Sequence, residues 1–122
     1  MVHARACGAA SKGARMTHEE GLEELRDCRD RIDELDRRIL ELINQRTRVV
    51  ERIGRVKQGL KMPIYEPKRE DDVYRNVTEH NTGPLGADAA RRVFERIIDE
   101  MRTVQKIRME QRAQAEAARR EE

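Results

Sequence analysis

The chain has 122 residues, of which 41% are charged and only 2% aromatic, with no tryptophan and a formal net charge of +2. That length allows one domain, and so few large side chains give a lone copy little core, which points to oligomerisation. Acids and bases interleave, so no nucleic-acid patch emerges, and no apolar run approaches a membrane span; neither nucleic acid nor membrane is expected as a partner.

Residues 1–16 are basic and small but lack the apolar region of a secretory signal. They are expected to be a disordered tail or a start placed too early, with Met16 as the other beginning. Cys7 and Cys28 fall in different kinds of segment, and a reduced, cytoplasmic setting is the expectation. His3, His18 and His80 share no ligand spacing with one another or with either cysteine, so no metal and no cofactor is expected.

Thr17-His18-Glu19-Glu20 has the form of a capping box and predicts a helix beginning near residue 18. Beyond it, Leu22, Leu25, Ile32, Leu35, Ile39, Leu42, Ile43, Val49, Val50, Ile53 and Val56 recur mostly every three or four residues. That is one stripe of an amphipathic helix, roughly 50 Å long over 22–57. It should run to about Gln58, with Gly59 as the left-handed residue that ends it. A helix that long cannot bury its stripe against itself, so it needs other helices or a second copy of the chain.

Three cations interrupt the stripe. Arg29 follows Leu25 by four, Arg46 follows Leu42 by four, and Lys57 follows Ile53 by four. Buried unpaired cations are costly, so they either snorkel to water or serve an anion. Arg46 and Lys57 are roughly 20° apart in phase and about 16 Å apart along the axis, close enough to bracket a small dianion. Arg29 is roughly 100° out of phase with Arg46 and about 25 Å away, so it serves either nothing or a site on a partner chain.

Leu60 and the residues through Glu66 read as a short loop carrying Pro63. Glu66-Pro67-Lys68-Arg69-Glu70 then opens a second helix, with an acidic N-cap and proline at the first position. Val73 and Val77 give it a thin apolar edge, and it should end near His80. Asn81-Thr82-Gly83-Pro84-Leu85-Gly86 is turn chemistry. A third helix starts at Ala87 or Asp88, with Ala90, Val93, Phe94, Ile97, Ile98, Met101 and Val104 as its stripe and Gln105 four after Met101. From Arg108 the pattern fades, and residues 109–122 are expected to be a fraying, charged helical tail. There is no nucleophile pair and no glycine-rich phosphate loop, so an enzymatic reaction here would need positioning and charge stabilisation rather than covalent catalysis.

These features together resemble the all-helical chorismate mutases of the short bacterial type. The matching residues lie in 25–57, with Arg29, Ile32-Asp33-Glu34-Leu35-Asp36, Arg46, Gly54 and Lys57. They continue through Pro63-Ile64-Tyr65-Glu66-Pro67, Arg69-Glu70, Ile97-Ile98 and Gln105. The resemblance implies an all-α, three-helix domain over residues 17–108 that dimerises with its long helices intertwined, building two sites shared between the chains. It implies the Claisen rearrangement of chorismate to prephenate in phenylalanine and tyrosine synthesis. Arg46 and the partner's Arg29 would hold the two carboxylates, and Lys57 and Gln105 would face the ether oxygen. Glu70 would accept from the ring hydroxyl, with Glu66 and Arg69 in support. Met101 stands where many members carry a serine that helps hold a carboxylate, and Glu66 is one methylene longer than the commoner aspartate. The alternative is a non-catalytic helical module that docks onto and regulates a partner enzyme of the same pathway.

Overall fold

The computed structural model describes residues 15–121, which form three α-helices and no strand. They are α1 (His18–Leu60), α2 (Pro67–His80) and α3 (Ala87–Arg120). The expectations placed on residues 1–14, Cys7 included, lie outside the described residues. Cys28 is not a free thiol, against the reduced state expected of it. No helix among the described residues is long and apolar enough to cross a membrane.

The start of α1 is the capping box read from the sequence. The Glu20 amide donates to Thr17 Oγ1 at 3.0 Å, and the Thr17 amide donates to Glu20 Oε1 at 2.9 Å. The bond from the Thr17 amide, and after it the Thr17 side chain, hold the Glu20 carboxyl below its ordinary range. The end of α1 differs from expectation. Gly59 stays helical, and the left-handed residue is Lys61, at φ 58°. The Met62 amide reaches back to the Lys57 carbonyl at 2.8 Å and the Lys61 amide to Gln58 at 3.2 Å. This is the six-to-one and five-to-two pattern that satisfies the last carbonyls of a helix. The apolar stripe and these bonds carry α1 past the residue that would have ended it most cheaply.

The chain divides into two compact units between Gln45 and Arg46, within α1. The first unit contributes the N-terminal part of α1, on which Leu22, Leu25, Ile32, Ile39, Leu40 and Leu42 are exposed. The second contains the rest of α1 with α2 and α3, and its buried apolar residues are Val50, Ala90, Ile98 and Met101. Within it, Thr47 Oγ1 meets Met101 Sδ at 3.6 Å, Arg108 pairs with Glu51 at 2.6 Å, and Arg112 Nε donates to Gln58 Oε1 at 2.5 Å. Both partners climb in number together, so the end of α1 and the body of α3 run in the same direction. The last two contacts tie α3 to α1 at Arg108 and Arg112, and the helix continues beyond them to Arg120, in keeping with the helical tail expected there.

Candidate active site

A cavity of about 370 Å³ opens in the second unit, walled by α1, α2, α3 and the loop before α2. Lys57, Glu66, Arg69, Glu70, Gln105 and Arg46 all line it. Arg29 does not; it is exposed on the first unit. Apolar side chains, among them Val50, Ile53, Val73 and Ile98, complete the wall.

Lys57 is 8% exposed, a position at which an ammonium needs partners. It has two: Nζ donates to the Ile64 carbonyl at 2.9 Å and lies 2.7 Å from Glu66 Oε1. Glu66 stands at the N-cap of α2 as expected, but its side chain makes no capping bond there. Pro67 at the first helical position lacks the N–H that would otherwise need a partner, and the Glu66 carboxylate turns to Lys57.

Arg46 and Arg69 behave differently. No carboxylate among the described residues pairs with either, yet both face the cavity. Burial first, and then the charge of Arg69, hold the Arg46 guanidinium below its ordinary value. Arg46 and Lys57, the pair expected to bracket a dianion, both line the cavity together with Arg69; of the three, Lys57 already meets a carboxylate, that of Glu66. Two guanidiniums that repel each other leave positive charge facing the cavity, where a planar bidentate group could meet a carboxylate.

Gln105 is 8% exposed, and its Oε1 is buried without a hydrogen-bond partner. A buried amide oxygen left alone costs free energy, so its retention at a cavity wall fits a group reserved for a ligand. Met101, one turn earlier on α3, is buried and offers only a thioether where the resemblance would put a hydroxyl.

Arg102 lines the same cavity and was not among the expected residues. Its Nε lies 2.8 Å from Glu70 Oε2, an ion pair whose N–H is not aligned as a hydrogen bond. A signal for it existed in the sequence: Arg102 follows Ile98 by four and precedes Gln105 by three, the spacing that singled out Arg46. Among the described residues, no group of His, Cys, Asp and Glu is placed to hold a metal ion.

Comparison with known proteins places these residues in context. The family model described as chorismate mutase type II matches residues 28–106. A chorismate mutase from Methanocaldococcus jannaschii is 30% identical over 94 residues, covering 74% of this chain and 92% of that protein. A bifunctional chorismate mutase/prephenate dehydratase from Stutzerimonas stutzeri is 37% identical over 81 residues, covering 62% of this chain and 22% of that protein. The chain likewise spans only 18% of the corresponding bifunctional protein of Aquifex aeolicus. Among solved structures, form II of the chorismate mutase of Thermus thermophilus superposes with a TM-score of 0.66 at 32% identity, covering 67% of this chain and 93% of that one.

Proposed function

The chain belongs to the chorismate mutase type II family, and from that premise we propose that it isomerises chorismate to prephenate in the cavity just described. The observation that carries this reading is the set of unpaired groups on one wall. Arg46 and Arg69 lack anions, and Gln105 lacks a partner, all facing a space of small-molecule size. Chorismate is a dicarboxylate, and its rearrangement needs no nucleophile, proton donor or metal. One C–O bond breaks and one C–C bond forms within the same molecule. Such a reaction is accelerated by holding the folded conformer and by stabilising charge that grows on the departing ether oxygen.

The roles are those the family resemblance implies, and the position of these residues around one cavity supports them. Arg46 takes one carboxylate, with Arg69 adding positive potential beside it. Lys57, steadied by Glu66 and Ile64, and the Gln105 amide face the ether oxygen. The amide carries donors as well as an acceptor, so the group whose oxygen is unpartnered can turn a donor to that oxygen. Glu70 accepts from the ring hydroxyl.

The proposal includes a homodimer. Leu22, Leu25, Ile32 and Ile39 form an exposed apolar row at helical spacing on α1, and a second copy would cover it. Arg29 belongs to the same stripe and would then serve as the partner's ligand for the second carboxylate. The remaining part of the reading is, by analogy with the bifunctional relatives, an association with an enzyme that consumes prephenate.

The test is direct. Purified protein incubated with chorismate should replace its proton resonances with those of prephenate, at a rate proportional to protein concentration. Tight association with a partner enzyme but no turnover would favour the docking module instead.

A further inference from the structure

Glu70 is held by an arginine whose other contacts lie outside the cavity. The Glu70 side chain is 15% exposed, and a carboxylate so placed needs a counter-charge. Arg102 Nε supplies it at 2.8 Å from Oε2. Arg102 is fixed in turn from behind: Nη2 donates to Asp99 Oδ1 at 2.6 Å, and Cζ stands 5.5 Å from the centroid of the Tyr65 ring, within cation–π range. A guanidinium often grips a carboxylate by both oxygens. With Nη2 committed to Asp99, Arg102 meets Glu70 through Oε2, and Oε1 is left to accept from a ligand.

Other cations line the same cavity as Glu70. Arg46 and Arg69 have no anion of their own, and a Glu70 released from Arg102 would be drawn to them. That would cancel the charge a dicarboxylate needs. We propose that Arg102 is a positioning residue: it holds Glu70 away from Arg46 and Arg69, so that the dianion site stays open and Oε1 meets the ring hydroxyl of the substrate. The inference rests on the chorismate reading above.

The experiment compares wild type, Arg102→Met, Arg102→Lys, Glu70→Gln and Arg102→Met with Glu70→Gln combined. Arg102→Met should raise KM about tenfold, the cost of losing one charge-assisted contact, and change kcat by no more than about twofold. Arg102→Lys, which keeps the charge, should recover most of the loss. On the Glu70→Gln background, Arg102→Met should add little, because a neutral amide is not drawn to Arg46 or Arg69. A crystal structure of Arg102→Met should show the Glu70 carboxylate turned toward Arg46 or Arg69. Equal losses on both backgrounds, a fall in kcat with KM unchanged, or Glu70 unmoved in that crystal structure would each overturn the proposal. Arg102→Gln gives the same readouts if Arg102→Met does not fold. A wild-type protein that leaves chorismate intact would refute the catalytic reading, while the crystal structure still decides what holds Glu70.

Discussion

Replacing Gln105 with leucine separates catalysis from stability in one residue. The side chain is buried, its Oε1 has no partner, and leucine has similar volume. The substitution therefore removes an unsatisfied acceptor without opening a cavity. An unsatisfied buried polar group costs about 1–3 kcal/mol; taking the lower end, the variant should gain about 1 kcal/mol. For a chain of this size that raises the thermal midpoint by about 4 °C. Activity should move the other way. Loss of one donor to a developing oxyanion costs about 3 kcal/mol, or on the order of a hundredfold in kcat, with a smaller effect on KM. Thermal unfolding followed by circular dichroism and initial rates of chorismate consumption measure the two quantities on one preparation. A midpoint that falls together with kcat would make Gln105 a structural residue, and an unchanged kcat would remove it from the site.

Lys61→Gly should stabilise the protein by up to about 1 kcal/mol, because Lys61 holds a left-handed backbone that glycine adopts without strain; a lower thermal midpoint would contradict that account of the α1 terminus. Gln105→Glu should be poorly active at neutral pH, where the ionised carboxylate repels the oxyanion, and should gain rate as the pH falls and the protonated acid donates. A flat pH–rate profile would count against the assignment. Arg29→Ala and Arg46→Ala homodimers should each be nearly inactive, yet refolding an equal mixture should restore roughly a quarter of wild-type activity. Half the dimers are then mixed and carry one intact site each. A mixture as dead as its parents, with mixed dimers verified, would exclude the shared site.

Where chain-local chemistry decides the structure, the sequence was legible. Thr17 and Glu20 announce the start of α1, Glu66-Pro67 the start of α2, and Gly86 precedes the start of α3. The polar interruptions of the α1 and α3 stripes also led to Arg46, Lys57 and Gln105, since a charge or amide in an apolar stripe must have a use or a cost. What was not legible depends on contacts between helices. Gly59 is the cheaper terminator, but α1 continues to Leu60 and closes through Met62 and Lys61. The residues after Arg108 have no stripe but were expected to be helical, and they are; what the sequence did not show is that Arg108 and Arg112 meet Glu51 and Gln58 on α1. Glu66 read alone is a capping acid; its bond to Lys57 appears only once the loop with Pro63 has folded back. Arg102 escaped notice because α3 is rich in arginine, and its partners Glu70 and Tyr65 lie far away in sequence.

The central claim is that this cavity converts chorismate to prephenate by means of its unpaired guanidiniums. The measurement that tests it most directly is kcat/KM for chorismate, determined for wild type and Arg46→Ala side by side, with folding of both verified by circular dichroism. The account predicts measurable turnover by wild type and a loss of at least about a hundredfold in Arg46→Ala, the scale expected when a desolvated charge contact to substrate is removed. Equal rates for the two proteins, or no turnover by a folded wild type, would contradict it.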